Sequence, residues 1–432
     1  MNVATDAPRS PAWSAAARLV ARWLERSERL DALLESLPPG LTSAERARCQ
    51  HLVFGVVRHF GRIEAALTHL VAHPPRYSTR AVLFVAGFEL IESAGEPAAD
   101  GRVAKIVHHA VEQTKTLSSA AEARLVNAVV RKLAAALASL PPAAPPPDVL
   151  AEYFSHPEWL VRAWLAQFGA EATRSLLEWN QQPATVYARW RATGEAPPAF
   201  LKPTAWAGFF EVSSGHWAEV EPLLKAGKIY LQDPGTRLAV ELLAPQAGET
   251  VLDLCAAPGG KSLLIADTMK AGKVIAMDLP GSRIDRLKEN LSRVSGVEVA
   301  LVQGDVLADP VHILRSHKLP ESFDAVLLDV PCSNTGVMRH RADVKWRLQA
   351  GDFKKHPQQQ LALLHAAARL VAPGGRIVYS TCSIDTEENE AVVKEFFNSR
   401  AGGPFKLEKS ALSFPWIAGH DGAGAFLLRR SG

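Results

Sequence analysis

The spacing of apolar residues divides this 432-residue chain into a helical region, a mixed region and a region in which strand and helix patterns alternate. From about residue 12 to 139, apolar residues recur at intervals of three and four, as in Leu125, Val126, Val129, Val130 and Leu133. This period is typical of amphipathic helices. Alanine, leucine, arginine and glutamate, which favour helices, dominate the same stretch. The pattern predicts an all-helical domain over residues 1–140.

A proline run, PPAAPPP, follows at residues 141–147 and predicts a stiff linker over residues 141–149. Beyond it, Ser155 stands three residues before Glu158, which is the pattern of a capping box and predicts the start of a helix. The stretch up to residue 245 is mixed, with candidate strands at 185–190 and 228–232. We therefore expect a small α+β subdomain over residues 150–245.

From residue 250 onward, strand patterns alternate with helical patterns. The predicted strands cover residues 250–254, 273–278, 297–303, 324–329, 376–381 and 425–428. Helices are predicted between them, for example over residues 282–294 and 358–371. Such alternation indicates an α/β fold with right-handed crossovers and a mainly parallel sheet. We assign this third domain to residues 246–432.

Composition narrows the class of protein. No apolar run reaches the length of roughly 18 to 20 residues that spans a bilayer, and the start lacks the pattern of a signal peptide. We therefore expect a cytoplasmic protein without membrane contact. The 4 cysteines contain no CxxC pair, so we predict neither a disulfide framework nor a metal site. The net charge of +3 permits nucleic-acid binding without demonstrating it.

Basic residues are concentrated between residues 43 and 80, where six arginines face only two glutamates. The arginines are Arg46, Arg48, Arg58, Arg62, Arg76 and Arg80. One interpretation is a set of solvated helix faces. The other is a surface that contacts phosphates, which becomes the better interpretation if the substrate is RNA.

A glycine-rich turn, VLDLCAAPGGKS, follows the first predicted strand of the third domain. It nearly matches the phosphate-binding pattern GxxxxGK[ST], but Cys255 stands in place of the first glycine. A nucleoside triphosphatase therefore stays an alternative. The dinucleotide pattern GxGxxG is absent, which gives NAD little support.

Two aspartates favour a nucleoside cofactor over this turn. Asp278 ends the second strand and is placed to bind ribose hydroxyls, as in other doubly wound folds. Asp305 follows the third strand and is a candidate for binding an exocyclic amine such as that of adenine. Each aspartate alone could instead be an ordinary turn or cap residue.

Two cysteines follow predicted strands at their carboxyl ends, where ligands of open α/β sheets bind. Cys332 lies in FDAVLLDVPCSNTG, three residues after Asp329, and Cys382 lies in GGRIVYSTCS. Thiols in such places indicate covalent chemistry, because the thiolate is a good nucleophile. Cys49 and Cys255 are instead expected to be packing residues.

The strings DLCAAPGGKS, DVPCSNTGV, VKWR and YSTCSIDTEEN resemble the motifs of the S-adenosylmethionine-dependent RNA cytosine-5 methyltransferases. The likeness is strongest to the bacterial Sun/Fmu (RsmB) branch, which acts on small-subunit ribosomal RNA, and it extends over nearly the whole chain. The helical domain resembles the antitermination-factor-like RNA-binding domain of that branch. Ala342 and Gly235 depart from residues that are frequent in the family.

The resemblance implies a Rossmann-like methyltransferase sheet, S-adenosyl-L-methionine as cofactor and an RNA substrate, namely 16S ribosomal RNA. It implies that Cys382 attacks carbon 6 of cytosine, that Asp329 binds the N3 edge and that Cys332 assists release. The implied cofactor-binding residues are Cys255, Ala256, Ala257, Pro258, Gly259, Gly260, Lys261, Asp278, Asp305 and Asp329. In VKWR, Lys345 and Arg347 are candidates for stabilising phosphate or thiolate, or simply form a solvated helix end.

Other interpretations stay open on the sequence alone. The same reaction could act on transfer RNA or 23S ribosomal RNA. A non-catalytic RNA-binding assembly factor could keep the fold, although Cys382, Cys332 and Asp329 argue for catalysis. We expect a monomer.

Overall fold

The computed structural model describes residues 10–94, 99–138 and 145–432. These residues form two compact units. One comprises the chain up to Pro183 together with Met338–Arg347, and the other comprises Ala184–Val337 and Leu348–Gly432. In the described parts, no helix combines the length and the apolar character needed to cross a membrane.

Helices occur throughout the described residues and are numbered in chain order. They are α1 (Pro11–Arg26), α2 (Leu30–Glu35), α3 (Ser43–Leu70), α4 (Tyr77–Ser93), α5 (Ala99–Leu117), α6 (Ala120–Leu137), α7 (Pro147–Tyr153), α8 (Glu158–Gln181), α9 (Trp217–Lys225), α10 (Arg237–Leu243), α11 (Gly260–Met269), α12 (Ile284–Leu291), α13 (Pro310–Ser316), α14 (Val344–Arg347), α15 (Asp352–Ala368), α16 (Glu390–Asn398) and α17 (Pro415–Ala418).

Strands are confined, within the described residues, to the second unit. They are β1 (Tyr187–Trp190), β2 (Leu201–Pro203), β3 (Phe209–Val212), β4 (Ile229–Leu231), β5 (Thr250–Leu254), β6 (Lys273–Asp278), β7 (Glu298–Gln303), β8 (Phe323–Asp329), β9 (Val371–Thr381), β10 (Phe405–Ser413) and β11 (Ala423–Arg430).

The first unit is helical, as predicted, and α4 lies at its centre. Residues 81–88 of this helix are all buried, and α1, α3, α5 and α6 pack around it. A helix that is apolar on every side belongs in a core rather than at a surface. Its neighbours contribute large buried side chains such as Trp13 and Leu52.

Close packing of α3 against α4 depends on a glycine. A Cβ placed on Gly55 would lie 2.2 Å from the ring of Phe88, far inside van der Waals contact. The two helices therefore approach each other at a point that admits no side chain.

The six arginines between residues 43 and 80 hold the helical unit together. Arg58 is buried and donates to the carbonyl oxygen of Arg339 at 3.1 Å, and burial lowers its pKa to about 10. Arg62 lies 4.1 Å above the ring of Tyr153.

The other four arginines also have partners within the unit. Arg46 donates to Pro38, and Arg48, Arg76 and Arg80 pair with Glu89, Glu122 and Glu64. Arg48 and Arg76 keep 41% and 67% of their side chains exposed despite these pairs, and contact of this surface with phosphates stays a prediction.

The segment Met338–Arg347 completes the helical unit although it follows the cysteine-containing turn of the second unit. Ala342 belongs to the helical core, and Trp346 donates from Nε1 to the carbonyl oxygen of Val57 at 2.8 Å. Lys345 is 1% exposed and donates from Nζ to the carbonyl oxygen of Arg58 at 2.9 Å. This segment is therefore a structural part of the helical unit.

The second unit contains a small antiparallel sheet with strand order β2-β3-β1-β4. The predicted α+β subdomain foresaw β1 and β4 but missed β2 and β3, which have only 3 and 4 residues. Helix α8, which was assigned to that subdomain, instead belongs to the helical unit. The first compact unit therefore extends to Pro183, beyond the predicted end of the helical domain at residue 140.

The main sheet has seven strands in the order β10-β11-β9-β8-β5-β6-β7. Strands β5 to β9 are parallel to one another, and β11 and then β10 add an antiparallel edge next to β9. The predicted α/β methyltransferase fold is confirmed. Because parallel strands end at one edge, residues after β5, β8 and β9 are brought together there.

Strand prediction was accurate for β5 and β6, whose bounds match the structure, whereas β10 was not predicted. Ser155 does not cap α8, since Pro157 occupies the N-cap and the Ser155 hydroxyl instead accepts from the Arg62 amide. Residues 141–144 of the predicted linker lie outside the described residues. Pro147 of that linker begins α7, where a missing amide hydrogen does no harm.

We predict opposite effects of two glycine-to-alanine substitutions in the helical unit. Gly55→Ala should destabilise the protein by about 1 to 3 kcal/mol, because the new methyl group overlaps the Phe88 ring. Gly101→Ala is the matched control, since no atom lies within 4 Å of its Cβ position; it should stabilise α5 by up to about 1 kcal/mol. Urea denaturation followed by helical circular dichroism measures both. Equal effects of the two substitutions would contradict the packing described here.

Candidate active site

The glycine-rich turn connects β5 to α11 and brings backbone close to a cavity. Gly259 has φ of 101°, a left-handed conformation that favours glycine. A Cβ on Gly260 would lie 2.9 Å from the ring of Tyr230, so this position also needs glycine. Cys255 is buried enough to raise its pKa, which agrees with its predicted packing role.

A cavity of about 240 Å³ opens over this turn, and we call it the glycine-loop cavity. Most of the predicted cofactor-binding residues contribute to its wall. The lining residues are Tyr230, Leu231, Gln232, Asp233, Thr236, Asp253, Cys255, Ala256, Ala257, Pro258, Gly260, Lys261 and Asp329. The structure thus gathers seven of the ten predicted residues at one cavity.

Gly259, Asp278 and Asp305 are the predicted cofactor residues that do not line this cavity. Asp278 lies behind it, where Oδ2 accepts from the Ala257 amide at 2.8 Å and Oδ1 accepts from the Leu279 amide at 2.7 Å. Asp305 is exposed and accepts from the Leu307 amide at 2.8 Å, as a turn residue does.

Asp253 was not predicted as a site residue, yet its carboxyl group is fully buried beside the glycine-loop cavity. One oxygen accepts from the Ser262 hydroxyl, and the other, Oδ1, has no hydrogen-bond partner. Burial raises the pKa of this carboxyl to about 7. Buried polar atoms without a partner are rare in folded proteins, so Asp253 becomes a candidate ligand-binding residue.

Asp329 ends β8 and forms the central ion pair of the site. Its Oδ2 accepts from Lys261 Nζ at 2.6 Å, and its Oδ1 accepts from the Ser380 hydroxyl at 2.8 Å. Burial acts to lower the pKa of Lys261, but the neighbouring Asp329 carboxylate outweighs it and the pKa is raised. Lys261 therefore carries a positive charge in a largely buried position.

The two predicted thiols lie side by side. The Sγ atoms of Cys332 and Cys382 are 3.1 Å apart, and Cys382 Sγ is 3.2 Å from Asn334 Oδ1. The hydrogen bond to Cys382, together with burial, raises the pKa of Cys332 well above its ordinary value. Cys332 is thus the thiol that keeps its proton and donates when Cys382 is ionised.

A second, smaller cavity of about 50 Å³ adjoins Cys382, and we call it the thiol cavity. Lys261 and Thr236 line both cavities, whereas Ser380, Thr381 and Gly422 line only the thiol cavity. The two cavities therefore share a wall that includes the Lys261 ammonium group.

Buried polar residues fix the loops that carry the thiols. Glu388 is fully buried and accepts from the Ser333 amide at 2.9 Å and from Gln360 Nε2 at 2.9 Å. His356 Nδ1 lies 3.2 Å from the same carboxylate, and that contact raises the pKa of His356. On the neighbouring loop, Thr335 donates to Asp385.

Lys345 and Arg347, which were candidates for stabilising charge, line neither cavity. Burial and the nearby Arg58 lower the pKa of Lys345 well below its ordinary value. Arg347 pairs with Asp343 at 3.1 Å. Cys49 is buried in the helical core, where burial raises its pKa to about 11, as expected of a packing residue.

Several residues of the site were missed although they lie within or near the motifs. Asp253 opens DLCAAPGGKS, Asn334 lies in DVPCSNTGV, and Thr236 directly follows Gly235. Tyr230 and Gln232 lie a few residues before Gly235. Their motif context was the available signal, but their side chains carry no distinctive chemistry in isolation.

Comparison with known proteins agrees with this architecture. A family model described as 16S rRNA methyltransferase RsmB/F matches residues 240–412, and a model of the NusB family matches residues 10–135. The ribosomal RNA small subunit methyltransferase B of Sodalis glossinidius (strain morsitans) is 32% identical over 395 residues, covering 88% of this chain and 88% of that protein. The protein of the same name from Proteus mirabilis (strain HI4320) is 29% identical, covering 89% of this chain and 91% of its own length.

Solved structures share the fold. The crystal structure of PH0851 covers 97% of this chain and 99% of its own, with a TM-score of 0.76 and 22% identity. A methyltransferase homolog protein from Pyrococcus horikoshii covers 65% of this chain and 97% of its own, with a TM-score of 0.55 and 23% identity.

The sheet order and the cavity at its carboxyl edge define a methyltransferase of the Rossmann-like class. Within that class, the chain belongs to the RsmB/F family of 16S ribosomal RNA methyltransferases and carries a NusB-like helical domain. The nucleoside triphosphatase alternative is thereby excluded.

Asp253 should make stability depend on pH in a defined direction. Its folded pKa of about 7 exceeds the unfolded value of about 3.9. Between these values the folded state binds more protons, so the contribution of Asp253 to stability falls as pH rises. The free energy of unfolding of Asp253→Asn, minus that of wild type, should therefore increase as pH rises across this window. The increase is at most about 1.4 kcal/mol per pH unit.

Urea denaturation of both proteins from pH 5 to pH 8 measures this difference, with Asp305→Asn as the exposed control. A wild-type-to-Asp253→Asn difference that is constant across the range would show that the carboxyl is not held protonated.

Proposed function

We propose that this protein methylates carbon 5 of a cytosine in 16S ribosomal RNA, with S-adenosyl-L-methionine as methyl donor and a covalent adduct to Cys382. The observation that carries the proposal is the pair of thiols 3.1 Å apart beside the Lys261–Asp329 ion pair. An enzyme that methylates an amino group needs no such pair. Because ribosomal RNA is the proposed substrate, the proposed place of action is the cytoplasm.

The residues around the glycine-loop cavity fit S-adenosyl-L-methionine. Asp253 lines this cavity and its Oδ1 lacks a partner, so this carboxyl group is placed to bind the ammonium group of the cofactor. The tight glycine turn lets backbone approach a nucleoside, and Asp278 stands behind it at the end of β6, the usual position of a ribose-binding acid. When bound, the sulfonium supplies an electrophilic methyl group.

Cys382 supplies the nucleophile in the proposed reaction. Carbon 5 of cytosine is too weak a nucleophile to take a methyl group directly, and addition to carbon 6 makes it reactive. The Cys382 thiolate would form a bond from Sγ to carbon 6, and the displaced electron pair would build up on carbon 5 and N3. The nearby Lys261 ammonium interacts favourably with the Cys382 thiolate.

Asp329 and Lys261 would meet the charge that develops at N3. Asp329 accepts hydrogen bonds from Lys261 and Ser380. Lys261, whose pKa is raised by the neighbouring carboxylate, carries the proton of the pair. We therefore assign the pair jointly, with Asp329 facing the base and Lys261 as the source of the proton.

Cys332 would act at release. After carbon 5 takes the methyl group, its proton leaves to a base in the cavity and the bond from carbon 6 to Sγ breaks. Cys332, which its raised pKa keeps protonated, can donate to the departing Cys382 thiolate. The proposed mechanism thus gives each of the two cysteines its own role.

The two cysteine substitutions should fail in different ways. Cys382→Ser should lose methyl transfer and form no adduct, because a hydroxyl ionises far less than a thiol near neutral pH. Cys332→Ser should still form the adduct but release it slowly, so a covalent protein–RNA complex accumulates. A denaturing gel of each variant with RNA and cofactor shows the complex as a shifted band.

A shifted band with Cys382→Ser and none with Cys332→Ser would mean that the roles of the two thiols are reversed. Full activity in both variants without any trapped complex would refute covalent catalysis. The Cys49→Ser variant is the matched control, since Cys49 is buried in the helical unit and should leave the gel pattern unchanged.

Asp278→Ala should weaken binding of S-adenosyl-L-methionine by about tenfold or more, since it removes charge-assisted hydrogen bonds worth about 1.5 to 3 kcal/mol each. Asp305→Ala tests the second predicted acid in the same way. Isothermal titration calorimetry measures both affinities. Unchanged affinity for either variant would remove that residue from the proposed cofactor site.

A further inference from the structure

One exposed apolar side chain stands out on the turn that precedes β11. Ile417 is 76% exposed, more than any other large hydrophobic side chain among the described residues. It lies on the short helix α17, which connects β10 to β11. Scattered exposed apolar residues are common, so its position relative to the site decides whether it has a function.

A short series of backbone contacts links α17 to Cys382. The Gly336 amide donates to the carbonyl oxygen of Cys382 at 3.0 Å, and the Gly422 amide donates to the carbonyl oxygen of Gly336 at 2.8 Å. A Cβ on Gly422 would lie 3.1 Å from the ring of Pro415, the first residue of α17. Because β11 pairs antiparallel with β9 from Gly424 opposite Thr381, α17 lies at the carboxyl edge of the sheet.

The turn that presents Ile417 is held in place on both sides. Pro415 is buried, and Gly419 ends α17 in a left-handed conformation. Tyr187 donates from its hydroxyl to the carbonyl oxygen of Gly419 at 3.4 Å. The rings of Trp206 and His420 pack edge to face, with their centroids 5.1 Å apart. A fixed backbone therefore projects an apolar side chain into solvent.

We propose that Ile417 is a wedge that inserts into the RNA beside the target cytosine and keeps that base unstacked. The inference rests on the proposed function, because a base inside a stack cannot present its ring face to Cys382. Proteins that open nucleic acids insert isoleucine, leucine or phenylalanine between bases in this manner. The occupant is RNA because the turn is continuous with the wall of the thiol cavity, where Gly422 and Cys382 meet.

The wedge predicts an effect that depends on how well the target is stacked. The probes are two RNAs that carry the cytosine located by bisulfite mapping of 16S ribosomal RNA treated with the wild-type protein. In one the cytosine is paired within a stem, and in the other it lies in an unpaired strand. Each carries 2-aminopurine next to the cytosine as a fluorescent reporter of unstacking.

Ile417→Ala should lower kcat/KM on the paired RNA by about tenfold, a change in barrier of about 1.4 kcal/mol, and should affect the unpaired RNA much less. The 2-aminopurine signal of the paired RNA should rise on binding wild type but not Ile417→Ala. Ile417→Leu should keep both the wild-type kcat/KM on the paired RNA and the rise in its 2-aminopurine signal. Leu407→Ala, which truncates another exposed side chain of the same sheet on β10, should match wild type.

An equal loss of kcat/KM on both RNAs would overturn the wedge. No loss on either RNA would also overturn it, and a docking surface for a protein would then explain why Ile417 is exposed. Mapping that finds no methylated cytosine would refute the proposed function, and the wedge with it. A mapped cytosine with unchanged Ile417→Ala kinetics would refute the wedge alone.

Discussion

The ion pair between Lys261 and Asp329 is the interaction around which the site is built. Lys261 comes from the first turn of α11, the helix that follows β5, and Asp329 from the end of β8, so their 2.6 Å contact depends on the parallel pairing of β5 and β8. Lys261 lines both cavities, which places one positive charge between the proposed methyl donor and the proposed nucleophile. A charge in that position is largely shielded from water, and the carboxylate beside it keeps it protonated. Loss of either partner would leave a partly buried charge alone, which is costly.

The thiols depend on the same sheet, one strand further along. Cys332 follows β8 and Cys382 follows β9, and the pairing of these strands brings their ends together. Strand ends alone leave loops free to vary, and the buried contacts of Glu388 with Ser333 and of Thr335 with Asp385 remove that freedom. Preorganisation of this kind matters because a misplacement of about 1 Å can cost roughly a hundredfold in rate. The loops thus serve catalysis through rigidity, while the proposed RNA contact on α17 adds a fixed apolar surface.

Predictions from the sequence were most accurate for elements whose bounds are set by the local pattern of apolar residues. β5 and β6 are buried on both faces and consist mostly of apolar residues, so their bounds could be predicted. β10 is mostly exposed at the sheet edge and carries lysine and glutamate, which conceal it. Lys345 was misread as a solvated residue or a charge stabiliser because its burial depends on a carbonyl of α3, 287 residues away in the chain. Asp278 was correctly placed at a strand end, but its hydrogen bonds to the Ala257 and Leu279 amides depend on the loop conformation, which strand position does not specify.

The most direct test of the account is the identity of the methylated nucleoside. 16S ribosomal RNA is incubated with the wild-type protein and S-adenosyl-L-methionine that carries an isotopically labelled methyl group. The RNA is then digested to nucleosides, which are separated by liquid chromatography and identified by mass spectrometry. The account predicts label in 5-methylcytidine, because the paired thiols lie where they can activate carbon 5. Label in N4-methylcytidine or in another nucleoside, with none in 5-methylcytidine, would contradict it.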